Sequence, residues 1–307
     1  MLSVHNLSIQ FTRYDGGWRR KIIQPVRDLS LDLDAGSILA VVGSSGSGKS
    51  LLAHALLGLL PSNAQTGGTI LYQKEQVTLK RAKKLRGREL ALIPQSVAYL
   101  NPLSRVGKQV YRASRLSGQC RDSACKNRDM AFSRYGLGKE VAPMYPFQVS
   151  GGMARRVLTA TATAGDASLL IADEPTTGLD ADATIQTLHH LRELADGGKG
   201  VILITHDLES AVDVADNVAV IYAGTTVEVA PAAHFRDGTT VHPYTKALWN
   251  ALPRNGFQYL SGNQPSEDDI ISGCIFHDRC PNRQPSCETN APSLHKTGAT
   301  QVRCFHA

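Results

Sequence analysis

Gly43-Ser44-Ser45-Gly46-Ser47-Gly48-Lys49-Ser50 is the stretch that decides the fold of this chain. It fits G-x-x-x-x-G-K-[ST]. It stands between an apolar run, Ile38-Leu39-Ala40-Val41-Val42, that reads as a buried strand and a run from Leu51 to Leu60 that reads as a helix. Strand, glycine-rich turn and helix form the context in which this pattern holds phosphate. The glycines let the backbone curl until successive N–H groups converge on a phosphate at a helix N-terminus, where the helix dipole also favours negative charge. Lys49 adds a point charge toward the β- and γ-phosphates, and the Ser50 hydroxyl suits Mg²⁺. The competing reading is a Gly/Ser turn that happens to end in Lys-Ser, and the elements on both sides weigh against it. ATP or GTP binding is the starting expectation.

Outward from this loop, 307 residues allow one substantial core and a second, smaller unit. Hydrophobic residues at 42% and charged residues at 20% describe an ordinary α/β protein, and no apolar run approaches the roughly 18 residues of a membrane span. Met1-Leu2-Ser3-Val4-His5-Asn6 lacks a basic segment followed by an apolar one, so a cytoplasmic location is expected. A net charge of +6 raises a nucleic-acid or anionic-lipid partner, with Lys80, Arg81, Lys83, Lys84, Arg86 and Arg88 as the densest patch. No aromatics interleave with these charges, so a solvated helix face is the reading taken and no nucleic-acid partner is expected.

Residues 4 to 11 alternate apolar and polar as an edge strand does, and Leu29-Ser30-Leu31-Asp32-Leu33 repeats the pattern before the turn Asp34-Ala35-Gly36. These are expected to be antiparallel strands flanking the nucleotide strand, with Tyr14 or Trp18 in or near their connection as candidates to stack on an adenine. Ala91-Leu92-Ile93-Pro94 forms a short core strand tipped by Gln95, which can bond a metal-bound or attacking water. Residues from about 101 to 165 lose the strand pattern and read as a helical insert, with helices over Val106 to Leu116 and Ser123 to Tyr135. The insert ends in Ser150-Gly151-Gly152, a turn opening a helix, which is either a second anion site or a plain N-cap.

Ser168-Leu169-Leu170-Ile171-Ala172 then runs into Asp173-Glu174. Adjacent acids at the C-terminal tip of a strand buried on both faces imply work at that edge, where ligands bind in open α/β sheets. Asp173 suits Mg²⁺, and Glu174 suits orienting or deprotonating an attacking water. Val201-Ile202-Leu203-Ile204-Thr205 repeats the pattern and ends in His206, while Val218 to Tyr222 and Thr226 to Val229 read as a closing hairpin around Ala223-Gly224.

Taken in order, Gly43 to Ser50, Gln95, Ser150-Gly151-Gly152, Asp173-Glu174, Gly178-Leu179-Asp180 and His206 resemble the motifs of an ABC-transporter ATPase subunit along essentially the whole chain. Arg86-Gly87, Leu100-Asn101-Pro102, Tyr145-Pro146, His242 to Leu248 and Gly273 to Pro281 narrow the resemblance to the dipeptide, oligopeptide and nickel importer branch. Three stretches depart from that pattern: Val149 replaces a Leu, Ala154-Arg155 follow Met153, and Gln95 stands between Pro94 and Ser96-Val97-Ala98. The last of these bears on the fit to a membrane subunit, not on the chemistry.

The resemblance implies a P-loop NTPase of α/β class, with an antiparallel β subdomain, a helical subdomain over about 101–165 and an irregular cysteine-rich extension. The ATPase domain is expected over 1–235 and the extension over 236–307. It further implies ATP and Mg²⁺ as ligands, with Ser50, Gln95 and Asp173 near the metal and Glu174, His206 and Gln95 catalytic. ATP would be sandwiched between the Gly43 to Ser50 loop of one subunit and Ser150-Gly151-Gly152 of another, with Asp180 beside it. The implied partners are a second, similar ATPase in a heterodimer, two membrane permeases and an external substrate-binding protein. The implied place is the cytoplasmic face of the inner membrane. A soluble ABC ATPase acting on nucleic acid or ribosomes is the alternative, but such proteins carry two ATPase units or a long coiled coil, and this chain has one phosphate loop and no sustained heptads. A small-molecule phosphotransferase would have no use for Ser150-Gly151-Gly152 or His206.

Cys274, Cys280, Cys287 and Cys304 follow C-x5-C-x6-C-x16-C, in a segment rich in Pro, Asn, Gly and Ser with few apolar residues to hold it. A reducing cytoplasm argues against disulfides, and zinc's usual close knuckle spacing is missing. The tail resembles the cysteine-bearing extension of oligopeptide-type ATPases, which implies a [4Fe–4S] cluster on these four thiolates, with zinc as the alternative. Cys120 and Cys125 read as ordinary thiols.

Overall fold

The computed structural model describes residues 1–15 and 19–307, and the side chains of 14–20 fall outside that description. Trp18 and the Tyr14 side chain, the two adenine-stacking candidates, therefore lie outside the described residues. In chain order the strands are β1 (Leu2–Asp15), β2 (Arg19–Leu33), β3 (Ile38–Gly43), β4 (Ala64–Tyr72), β5 (Glu75–Gln76), β6 (Leu90–Ile93), β7 (Leu169–Asp173), β8 (Gly200–Thr205), β9 (Asn217–Tyr222), β10 (Thr225–Pro231), β11 (His295–Thr297) and β12 (Thr300–Val302). They fall into two compact units, one of Met1–Asp34, Ile38–Val77 and Ile204–Ala307, the other of Ala35–Ser37 and Thr78–Leu203.

In the first unit the strands run in the order β5-β4-β1-β2-β10-β9-β3. β1 pairs antiparallel with both β2 and β4, so it is an inner strand and not the edge strand its alternation suggests. A strand with two neighbours but one solvated face shows the same polar alternation as an edge, which is why the sequence misplaces it. The β1–β2 pair is antiparallel as expected but does not flank the nucleotide strand directly, because β10 and β9 stand between β2 and β3. β3 pairs parallel with β9, Gly43 opposite Ile221, and every residue of β3 is buried. The closing hairpin forms as read, β9 against β10.

The C-terminal segment belongs to this same unit. β12 pairs with β10 through Glu228↔Val302 and Val229↔Gln301, extending an edge that β2 touches at Thr225↔Asp28. Phe276 is 1% exposed and packs on Tyr222, Tyr244 and His242 with ring centroids 5.2, 5.5 and 5.6 Å away. A phenylalanine so buried is worth about 3–5 kcal/mol against alanine. The tail thus has an anchor of its own, where its composition left none expected.

In the second unit β8, β7 and β6 are neighbours in that order, β7 and β6 parallel. The helical insert forms, with helices Val106–Leu116, Arg121–Arg134 and Gly151–Thr163. They meet over a core that includes Val110, Phe132, Tyr135, Leu137 and Val157. The second helix starts two residues before its expected Ser123 because Cys120 caps it, the thiol accepting from the Ser123 N–H at 3.5 Å. Helix Leu79–Leu85 buries Ala82 and Leu85 and turns Lys80, Lys83 and Lys84 to solvent, the solvated face read from the sequence. Among the described residues no helix is long and apolar enough to cross a membrane.

Candidate functional site

The phosphate loop links β3 to helix Lys49–Leu56, as its flanks predict, although the helix ends four residues earlier than read. The chain turns out of it where Leu59 N–H folds back to His54 O at 2.8 Å. Two glycines are fixed by their surroundings. Gly43, at φ 157°, lies so close to β9 that a Cβ would sit 2.2 Å from Ile221 O, and Gly48, at φ 89°, would place one 2.8 Å from the Val26 methyl and 2.9 Å from Pro25 O. The loop is thereby pressed against its own strand bed, with its N–H groups at a helix N-terminus.

Lys49 is 8% exposed, and its ammonium donates to Gly43 O and Ser44 O, both at 2.8 Å, and to Ser47 Oγ at 3.3 Å. A buried ammonium spanning the mouth of a glycine-rich turn is a charge placed for an anion. Ser50 follows in the first turn of the helix. The residues fit a nucleotide's phosphates. In the same unit, His206 follows β8 and is exposed, beside Asp207, which caps helix Leu208–Val214 by accepting from Ser210 N–H at 3.1 Å.

In the second unit, Gln95 lies exposed just past β6, its carbonyl accepting from Arg155 Nη1 at 3.3 Å. Asp173 ends β7, and Glu174 follows it; both are buried, at 5% and 7% exposure. Glu174 has φ 51°, a left-handed backbone that a glutamate adopts at a cost of about 1–3 kcal/mol. Its Oε2 accepts from Thr177 Oγ1 at 3.1 Å. Two buried carboxylates at the C-terminal tip of a strand, the second strained, mark a working edge; the strain is a signal that sequence reading has no way to find.

Ser150 caps helix Gly151–Thr163, its hydroxyl accepting from Met153 N–H at 3.2 Å, and Asp180 likewise caps helix Ala181–Asp196 by accepting from Ala183 N–H at 2.8 Å. A Cβ on Gly151 or Gly152 would meet nothing within 4 Å. Among the described residues nothing requires glycine there, and the first turn of that helix stands open. Sequence reading gave no part at the phosphate loop to Gln264, which accepts from Ser44 Oγ, or to Tyr244, which it quoted only for the family resemblance and whose phenol Ser44 influences.

All six cysteines are free thiols. Burial pushes the Cys274 thiol above its ordinary pKa, and the nearby Cys287, Cys280 and Cys304 thiols push the same way. Cys287 Sγ sits 3.5 Å from His306 Nε2, and Cys304 Sγ accepts from the His306 N–H at 3.4 Å. Among the described residues, no group of three or more His, Cys, Asp and Glu is placed to hold a metal ion. The tail thiols are neighbours, with the Cys274 N–H bonded to Cys287 O at 2.8 Å, but they form no such group as they stand.

Comparison with known proteins agrees with the motif order. Residues 26–177 match the model described as ABC transporter, and residues 227–287 match that of the oligopeptide/dipeptide transporter C-terminal region. The chain is 36% identical over 318 residues to a putative peptide import ATP-binding protein of Brucella melitensis, covering 99% of this chain and 94% of that one. It is 36% identical over 321 residues to the oligopeptide transport ATP-binding protein of Salmonella typhimurium, covering 99% and 93%, and 37% identical over 321 residues to the dipeptide transport ATP-binding protein of Bacillus subtilis, covering 99% and 94%. A bacterial ABC transporter cassette solved as a dimer shares the fold, with a TM-score of 0.66 at 22% identity over 76% of this chain and 99% of that one.

Proposed function

Because this chain belongs to the ABC-transporter ATP-binding proteins that carry the oligopeptide/dipeptide-type C-terminal region, we propose that it hydrolyses ATP to power a membrane importer of peptides. The observation that carries the reading is the buried Lys49 ammonium set across a glycine turn at a helix N-terminus, in a chain alike over 99% of its length to peptide transport ATP-binding proteins. Nickel, the other cargo the sequence leaves open, has no comparable support among these relatives. In this proposal the chain divides by function into the ATPase domain 1–235 and the extension 236–307.

Each residue's part follows from its chemistry. Lys49 and the loop N–H groups hold the β- and γ-phosphates, and Ser50, Asp173 and Gln95 would hold Mg²⁺, which supplies neutralising charge on the phosphate oxygens. Glu174 orients the attacking water and draws off its proton; His206 bonds the γ-phosphate; Asp180 lies beside the bound nucleotide while capping its helix.

A second ATPase completes the site in this reading by presenting its own Ser-Gly-Gly turn, and this chain offers Ser150-Gly151-Gly152 in return. The open space beside Gly151 and Gly152 supports a ligand that approaches from outside the chain. Closure on ATP and opening after hydrolysis then form a ligand-biased two-state cycle. We favour a similar but distinct ATPase as the partner, beneath two permeases on the cytoplasmic face of the membrane, with an external protein delivering peptide. Ser150→Arg is expected to leave ATP affinity of the single chain unchanged and to abolish ATP-dependent crosslinking of the two ATPases; crosslinking at the parent's level would remove the turn from the interface. Purifying the tagged chain with its membrane partners and identifying the carried solute by mass spectrometry tests the whole reading. Peptide in a complex with two permeases is the expected result, and a complex with ribosomes or nucleic acid, the other class considered, would overturn it.

We also propose that Cys274, Cys280, Cys287 and Cys304 hold a [4Fe–4S] cluster, with zinc as the alternative. The backbone bond between Cys274 and Cys287, and the contacts of both Cys287 and Cys304 with His306, bring these thiols near one another and support a shared group, although the tail must adjust for its sulfurs to converge. Such a group would serve structure or redox sensing, since the ATP chemistry has no use for it. Anaerobic purification is expected to give a brown protein absorbing near about 400 nm with roughly four irons per chain, and Cys280→Ser to lose iron. A colourless preparation with one zinc would decide for the alternative.

A further inference from the structure

The phosphate loop is gripped from outside by the C-terminal extension. Ser44 Oγ donates to Gln264 Oε1. Burial raises the Tyr244 phenol above its ordinary pKa, and Ser44 beside it acts the other way. Neither Gln264 nor Tyr244 belongs to the nucleotide motifs, and both come from residues more than 190 positions downstream of the loop.

Each of the two is itself fixed. Gln264 begins a strap laid along β2: Gln24 N–H donates to Glu267 O at 2.9 Å, Arg27 Nη2 donates to Ser266 O at 3.0 Å and Asp269 O at 2.9 Å, and Lys21 pairs with Asp268. Asp269 closes the strap on itself, accepting from Ser266 N–H at 2.7 Å. The same stretch of β2 supplies Pro25 and Val26, the wall behind Gly48. Strap and loop therefore share one bed.

Tyr244 opens helix Pro243–Asn250, whose cap is His242: its Nδ1 accepts from the Tyr244 N–H at 3.1 Å. The cap hangs on Glu228 of β10, a fully buried carboxylate that accepts from His242 N–H at 2.9 Å and Val241 N–H at 2.8 Å. The Tyr244 ring lies 4.5 Å from that of Tyr222, the residue after Ile221, against which Gly43 packs. Its hydroxyl is thus held in place relative to the loop from the β9 side, as Gln264 is from the β2 side.

We propose that Gln264 and Tyr244 are positioning residues for the phosphate loop, so that the extension sets this subunit's nucleotide affinity by preorganising Ser44. A loop already in its binding conformation loses less entropy on taking phosphate, and two fixed partners on one serine restrict the residue that follows the first glycine of the motif. The inference rests on the reading of Gly43 to Ser50 as a nucleotide loop.

Gln264→Met keeps the side chain's bulk and removes its acceptor, and Tyr244→Phe removes only the hydroxyl. In the full-length, nucleotide-free chain each is expected to speed amide hydrogen exchange at residues 44–47 while exchange in β9 and β10 stays as in the parent. Titration with a fluorescent ATP analogue and Mg²⁺ is expected to show each variant binding about threefold to tenfold more weakly, the effect of one lost hydrogen bond. Turnover at saturating ATP should hold while KM rises. Because both act through one serine, adding Ser44→Ala to either should cost little more. Parental loop exchange and affinity in both variants would overturn the proposal, as would losses that add in full to that of Ser44→Ala. A parent chain that binds no nucleotide at all would sink the loop reading itself, and this inference with it.

Discussion

In Glu174→Gln, ATP hydrolysis is expected to fall by on the order of 10²-fold or more while ATP binding is retained, so that the closed, ATP-bound assembly accumulates. The substitution changes little else. Glutamine keeps the length of the side chain and an oxygen for the Thr177 hydroxyl at its present 3.1 Å, and it is as able as glutamate to hold the left-handed φ of 51°. What it lacks is the basicity to take a proton from water. Glu174 is 7% exposed, just past the tip of β7. His206→Ala is expected to be similarly inactive, through loss of the γ-phosphate contact. Phosphate release measured on the purified complex checks both, and turnover near the parent's rate in Glu174→Gln would remove that residue from its role.

Lys49→Ala is expected to act one step earlier, on binding itself. In the proposed reading it deletes a full charge that faces two phosphates, from a side chain that is buried. Charge-assisted hydrogen bonds to two phosphates, at about 1.5–3 kcal/mol each, correspond to an affinity loss of roughly 10²- to 10⁴-fold. The alanine also gives up the donors that now tie Gly43 O and Ser44 O together, so the loop loses shape as well as charge. Equilibrium dialysis with ATP reads the effect. Equal affinity in variant and parent would contradict the part given to Lys49.

Much of this was legible in the residues because it is local. A strand, a glycine turn and a helix follow one another within 38–56, and β7 runs into two acids, its last residue Asp173 and the next, Glu174, so short patterns with a chemical reason suffice. Where the sequence misleads, the cause is long-range pairing. The alternation in β1 is the same with one neighbour or two, and nothing in residues 29–33 reveals that β10 and β9 will insert between that strand and β3. The tail looked unanchored because few of its residues are apolar, yet one phenylalanine, Phe276, and a three-residue strand, β12, seat it against β9 and β10. Composition counts such residues; only the fold shows where they land. The grip of Gln264 and Tyr244 on Ser44 is of the same kind, and so is the strained backbone of Glu174, which depends on the whole turn around it.

Uptake of labelled peptide into vesicles tests the central claim most directly, with the copurified complex reconstituted beside its peptide-loaded delivery protein and ATP supplied on the ATPase side. The account predicts peptide accumulation that requires ATP and stops when the Glu174→Gln chain replaces the parent. Accumulation at an undiminished rate without ATP, or with that variant in place, would contradict it.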